Sequence, residues 1–434
     1  MISKKMQAMT ANSSVIRAMF EEGARLAKEY GAENVFDFSI GNPSVTPPPQ
    51  VAQAICDCLE EEPPLLLHGY MNNSGYESVR AAIANHLNRQ HSCTLDSSHI
   101  VMTCGAAGGL NVILKTLLDP GDEVIVLAPF FGEYANYISN FEGKMVVVNC
   151  CPDTFQPDLA LLEQAITART KAIILNTPNN PSGVIYPAQT LRQMAELLRR
   201  CEQKFSSSIY VISDEPYREI VYDAAQVPFM LDYFDNAFIG YSYSKSLSLP
   251  GERIGYIAVN PKMDQLSAVL SSLNVATRIL GFVNAPSLFQ KVVARILDVQ
   301  VDVSVYQNNR DRIYNHLTGL GFQCVKPQGA FYLFPQSPLR DEKVFCELAK
   351  QQNILVVPGS SFGCPGHFRL SYIRHDAGRS QQCQPLLRIL FIPGILPVYA
   401  HGQFLCDRLD SVRDHYDTDC NSVQVSEPMG LLRR

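Results

Sequence analysis

The chain has 434 residues, 46% hydrophobic and 18% charged, which excludes a disordered or low-complexity protein and leaves enough apolar surface for a sizeable core. Its 36 Lys and Arg stand against 42 Asp and Glu, a net charge of −6 with no basic patch to bind nucleic acid. The 13 cysteines include no C-x-x-C pair and read as buried reduced thiols. The N-terminus has no apolar signal-like stretch, and the most lipid-like segment, 386–400, is interrupted by Pro393 and Pro397 and falls short of the ~20 residues of a bilayer span. A cytoplasmic protein without a membrane segment is expected.

In chain order, 15–30 has the spacing of an amphipathic helix, and the first 45 residues show no strand alternation. A short apolar run at 99–103 leads through Gly105 into a helical pattern to residue 118. Buried strands are expected at 123–128, 144–149, 171–176, 209–213 and 237–241, with a helix at 187–200. Strands alternating with helices predict an α/β domain built on a mostly parallel sheet flanked by helices, with the ligand beyond the carboxyl ends of the strands. From about residue 281 one long helical region runs to about 320, and strands follow at 330–334 and 354–357. The expected organisation is an N-terminal arm (1–45), a large ligand-binding domain (46–280), a smaller α+β domain from the N- and C-terminal parts (281–372) and an atypical tail (373–434).

Four stretches carry chemistry. In Tyr241-Ser-Tyr-Ser-Lys245 through Gly251-Glu-Arg253, a lysine sits in a hydroxyl-rich loop just after a strand, with an arginine eight residues on. Lysine forms Schiff bases once desolvation or a cationic neighbour lowers its pKa, and Ser242, Ser244 and Arg253 are donors suited to a phosphate. Gly105-Ala106-Ala107-Gly108 opens a helix whose free N–H groups suit a phosphate. Asn176-Thr-Pro-Asn-Asn180-Pro and Ser213-Asp214-Glu-Pro-Tyr217 each follow a strand. Taken singly, these stretches also read as a surface loop, a helix-entry glycine cluster, a proline-rich turn and an acidic turn.

In this order and spacing they resemble the class I and II aminotransferases, pyridoxal-phosphate enzymes of fold type I, over about 35–372. The resemblance implies pyridoxal 5'-phosphate held by Lys245 as a Schiff base. It implies Asp214 on the protonated pyridine nitrogen, and Tyr217 and Asn180 on the phenolic oxygen. Ala106, Ala107, Ser242 and Arg253 would form the phosphate cup, with Phe131 stacked on the ring. Arg369, in Phe368-Arg-Leu-Ser-Tyr372, resembles the arginine that clamps the substrate α-carboxylate, and Gly41 the glycine that lines the same pocket. Tyr70, in His68-Gly-Tyr70, is similar to the tyrosine that reaches the neighbouring subunit's phosphate, which implies a homodimer with shared sites. The implied reaction moves an α-amino group from an amino acid to a 2-oxo acid through a pyridoxamine intermediate. A carbon–sulfur β-lyase of the same fold is the alternative, and a non-catalytic effector-binding domain a third. Beyond Tyr372 the pattern departs from the family, either through a shifted reading frame or through an extension.

Overall fold

The computed structural model describes residues 2–11 and 15–373, so the atypical tail expected from the sequence lies, from 374 onward, outside the described residues. The first strand, β1 (Phe36–Asp37), is only two residues long and falls within the arm where no strand was expected. An alternation of two is below what a sequence pattern can reveal. A seven-stranded sheet then follows: β2 (Ile100–Thr103), β3 (Glu123–Ala128), β4 (Lys144–Asn149), β5 (Thr170–Asn176), β6 (Tyr210–Asp214), β7 (Ala237–Ser242) and β8 (Gly255–Val259), in the order β2-β8-β7-β6-β5-β3-β4.

Six of these strands run the same way. Only β8 is reversed, antiparallel to both β2 and β7. All six residues of β3 are buried, because it lies between two neighbours and helices cover both faces, and its sequence is a continuous apolar run after Glu123. Strand β4 is one edge, and there Lys144 pairs with Glu123 at 3.1 Å while Lys144, Val147 and Asn149 face water. The helix Ala188–Phe205 buries Leu191, Met194, Ala195, Leu198 and Cys201 at three- to four-residue spacing and stops at Ser206, which adopts a left-handed φ of 52°.

The single long helix expected near 281–320 is two helices, Ser287–Arg295 and Val303–Gly319. The break carries Val299 and Val301, and Asp302 caps the second helix by accepting from the Ser304 N–H at 2.9 Å. Val292 and Val293 of the first helix join the buried cluster of the large sheet. The remaining strands, β9 (Tyr332–Leu333), β10 (Ile354–Leu355), β11 (Val357–Pro358) and β12 (Phe368–Ser371), form a small three-stranded antiparallel sheet β11-β12-β9 and a β1-β10 parallel pair. Phe331, Leu333, Phe345, Phe368 and Leu370 make the core of this smaller unit. The chain leaving β1 runs on against β10 and β12, since the Phe38 N–H donates to Leu355 O and Phe38 O accepts from the Ser371 N–H. That path delivers Gly41 to the large sheet.

Among the described residues no helix is long and apolar enough to cross a membrane.

Candidate active site

The direction of the sheet concentrates the chemistry at one edge. The carboxyl ends of β2, β5, β6 and β7 open respectively into Gly105–Ala107, Asn176–Asn180, Asp214–Tyr217 and Ser242–Lys245. Reversed β8 brings its start, and with it Arg253, to the same edge. The smaller unit closes the other side with Gly41, Tyr332 and Arg369. Between them lies a cavity of about 290 Å³, lined by Gly41, Ala106, Ala107, Phe131, Asn180, Asp214, Tyr217, Ser242, Lys245, Arg253 and Arg369. Eleven of the twelve residues to which the family resemblance gives a role therefore meet in one place. The twelfth, Tyr70, is 95% exposed and does not line the cavity of its own chain.

Lys245 sits in a one-turn helix, Tyr243–Ser246, whose cap Ser242 accepts from the Ser244 N–H. Its ammonium donates to Gly41 O at 2.7 Å and lies 5.5 Å from the centre of the Phe331 ring. Burial, then the charges of Arg253 and Arg369, brings its pKa down to about 8. The amine is thus substantially neutral in mildly alkaline solution, the form that attacks a carbonyl.

Asp214 ends β6 and is 5% exposed. Its Oδ2 accepts from the Tyr134 hydroxyl at 2.6 Å, whereas its Oδ1 is buried without a hydrogen-bond partner. Burial raises its pKa to about 7, opposed by the Tyr134 hydrogen bond and reinforced by Glu215. A buried carboxylate oxygen with no partner costs free energy unless a donor or cation arrives. The Asn176 side chain ties this strand end to the next loop, donating to Asp214 O at 2.8 Å and accepting from the Asn180 N–H at 2.7 Å.

Arg369, on β12, is 2% exposed. It donates to Asn180 Oδ1 at 3.2 Å and to Ser39 O, and its Nε is buried without a partner. Its guanidinium is held between the Tyr332 ring at 4.6 Å and the Phe362 ring at 4.9 Å. Among the described residues no carboxylate forms an ion pair with it. A buried, unpaired guanidinium facing a cavity is a carboxylate site awaiting its anion.

At the opposite end, Arg253 has φ of 54° and donates to Pro250 O at 2.9 Å. Gly105 adopts φ of 71°, and a Cβ there would come within 2.8 Å of the Arg253 guanidinium. The helix Gly105–Leu117 thus presents the first-turn N–H groups of Ala106 and Ala107, the hydroxyl of Ser242 and a guanidinium to one cup. Phe131 lines the cavity and meets Tyr134 edge-on at 5.6 Å.

The residues fit pyridoxal phosphate: a cup for a dianion at one end, an orphaned buried carboxylate oxygen for a ring cation, a lysine of lowered pKa, and an unpaired arginine beyond it. Sequence reasoning gave no role to Tyr134, Asn176, Tyr332 or Phe362. Tyr134 stands three residues after Phe131 in the sequence, but nothing local marks its partner as Asp214, 80 residues away.

Comparison with known proteins agrees with this fold. The model of the family "Aminotransferase class I and II" matches residues 33–383, past the Tyr372 limit read from the sequence. A probable aspartate/prephenate aminotransferase of Aquifex aeolicus is 32% identical over 361 residues, covering 80% of this chain and 89% of its own. A crystal structure of an amino transferase from Eubacterium rectale superposes with a TM-score of 0.87 at 40% identity, covering 90% of this chain and 98% of that one. An aspartate aminotransferase from Thermus thermophilus with maleate gives 0.78 at 26% identity, covering 90% and 99%.

Proposed function

The chain belongs to the class I and II aminotransferases, enzymes of the transferase class, and from that membership we propose that it moves the α-amino group of an amino acid to a 2-oxo acid with pyridoxal phosphate held on Lys245. The observation that carries the assignment of residues is that Lys245, the orphaned Oδ1 of Asp214 and the unpaired guanidinium of Arg369 face one cavity. Bound there, pyridoxal phosphate supplies an electron sink for the charge left when an amino acid loses its α-proton.

The chain's own residues do the rest. Asp214 Oδ1, buried and unpartnered, would accept from a protonated ring nitrogen, and that opposite charge would favour the carboxylate and draw it below its value of about 7. Tyr134, fixed on Oδ2, sets the plane of the carboxylate. Tyr217 and Asn180 line the cavity where they would hold the phenolic oxygen, and Phe131 lines it where it would pack against the ring. Ala106, Ala107, Ser242 and Arg253 would bind the phosphate. Arg369 takes the substrate α-carboxylate in a planar two-pronged grip, which a point charge does not reproduce. That grip orients the α-carbon toward Lys245 Nζ, which moves the proton to and from it as general base and acid.

The enzyme acts as a cytoplasmic homodimer in this reading. Tyr70 serves the phosphate of the partner, which accounts for an almost fully exposed tyrosine among the exposed apolar side chains Leu65 and Leu66. The test is to supply holoenzyme with an amino acid and a 2-oxo acid, and separately with a cysteine conjugate. Amino transfer that depends on the oxo acid supports the reading. Release of pyruvate and ammonia from the conjugate, without oxo-acid-dependent transfer, replaces it with the lyase.

A further inference from the structure

Tyr332, on β9, touches both halves of the site. Its hydroxyl is 3.0 Å from the hydroxyl of Tyr217, and the two rings meet edge-on at 5.8 Å with an interplanar angle of 83°. The face of the same ring lies 4.6 Å from the Arg369 guanidinium. Gly41, whose carbonyl accepts from Lys245, is packed so closely on the Tyr332 hydroxyl that a Cβ at that position would collide with it. The ring is 2% exposed and lines the cavity. One side chain thus contacts the groups assigned to the phenolic oxygen, the substrate carboxylate and the lysine.

We propose that Tyr332 is a positioning residue with two separable roles: its hydroxyl orders the Tyr217 hydroxyl, and its ring face carries Arg369. This rests on the reading of the site given above. Each tyrosine hydroxyl has one proton and can also accept. With the Tyr217 hydroxyl donating its one hydrogen bond toward the phenolic oxygen, the bond between the two tyrosines would have one remaining direction, from Tyr332 to Tyr217. Accepting that bond polarises the Tyr217 O–H and makes it the better donor, as in any hydrogen-bonded chain in a dry interior. The ring role is independent of the hydroxyl. Arg369 has no carboxylate partner among the described residues, so the electron-rich faces of Tyr332 and Phe362 hold its guanidinium ready for a ligand.

Two substitutions separate the roles. Tyr332→Phe removes the hydroxyl and keeps the ring, whereas Tyr332→Leu removes both. The first readout is the visible absorbance of the holoenzyme titrated with pH, which does not depend on turnover. In Tyr332→Phe a weaker Tyr217 donor leaves the phenolic oxygen more basic, so its shared proton is held more tightly. The absorbance midpoint moves up by roughly half a pH unit, while KM for the amino acid stays within about twofold. In Tyr332→Leu the midpoint moves likewise, and loss of the ring face raises KM by about five- to thirtyfold with a smaller change in kcat.

A midpoint in Tyr332→Phe that coincides with wild type overturns the hydroxyl role. A KM in Tyr332→Leu that coincides with wild type overturns the ring role. Should Tyr332→Leu not fold, Tyr332→Phe still decides the hydroxyl role, and Tyr332→Met, an apolar side chain without a ring, decides the ring role: a raised KM supports it and a wild-type KM overturns it. Failure of the underlying reading looks different: wild-type protein incubated with pyridoxal phosphate then shows no lysine-bound absorbance band to titrate.

Discussion

The Tyr134 hydroxyl lies 2.6 Å from one oxygen of Asp214 and leaves the other oxygen of that carboxyl buried and unpartnered. The two residues are brought together by β6 and by the helix Tyr134–Asn140, which follows the β3 loop. One oxygen is thereby fixed and the other reserved. Tyr134→Phe removes the fixing bond, worth about 1.5–3 kcal/mol to a charged acceptor. The expected result is a roughly ten- to hundredfold fall in kcat/KM and an acid limb of the pH–rate profile displaced upward, because Asp214 loses the hydrogen bond that favours its charged form. Steady-state kinetics across pH checks both.

Asp214→Asn separates stability from activity. Folding raises the Asp214 pKa from 3.8 to about 7, so in cofactor-free protein the protonated acid is the favoured buried form. Its contribution to stability is fully present below the unfolded value and is lost as pH rises through about 7. Glu219, also raised to about 7 by burial, adds the same sign, so the variant and the wild type must be compared directly. The melting temperature of cofactor-free wild type should fall more between pH 5 and pH 8, as test conditions, than that of Asp214→Asn. Turnover in the variant should drop on the order of a thousandfold, since an amide does not hold the ring nitrogen protonated. Equal melting curves would show that the carboxyl is not buried as described.

Arg369→Lys exchanges a planar fork held between two rings for one mobile charge. KM for amino and 2-oxo acids should rise by roughly thirty- to a hundredfold, with kcat less affected. Affinity for an amine that lacks the α-carboxylate should change little. Equal losses for both ligands would place Arg369 in the fold rather than at the carboxylate.

The proposed homodimer makes a prediction that a monomer does not. Tyr70→Phe protein mixed with Lys245→Ala protein, after subunit exchange, forms hybrids with one intact and one doubly damaged site. Random exchange should restore about a quarter of wild-type activity, provided Tyr70 acts across a two-fold axis. Activity that stays at the sum of the two parents would show that Tyr70 serves its own subunit or none.

Much of this site was legible because its residues follow strands. Asp214, Lys245 and the Gly105 cluster each close a buried apolar run, and the parallel sheet carries such ends to one edge. The family pattern then supplied Arg369 and Gly41, which no local signal marks as neighbours of Lys245. What escaped was pairing at long range. Tyr332 reads as one more apolar residue of a short strand, and only folding sets it against Tyr217, 115 positions away. Strand β8 was hidden within the stretch that runs on from Lys245 and Arg253, and its reversed direction is a property of the sheet rather than of its five residues. A single chain likewise shows Tyr70 only as exposed.

Covalent mapping of the cofactor tests the central claim most directly. Holoenzyme is reduced with borohydride, digested, and its phosphopyridoxyl peptide sequenced. The account predicts one modified peptide, carrying the label on Lys245, the amine whose pKa is brought down to about 8 by burial and then by Arg253 and Arg369. A label on any other lysine, or no label in protein that transfers amino groups, would contradict it.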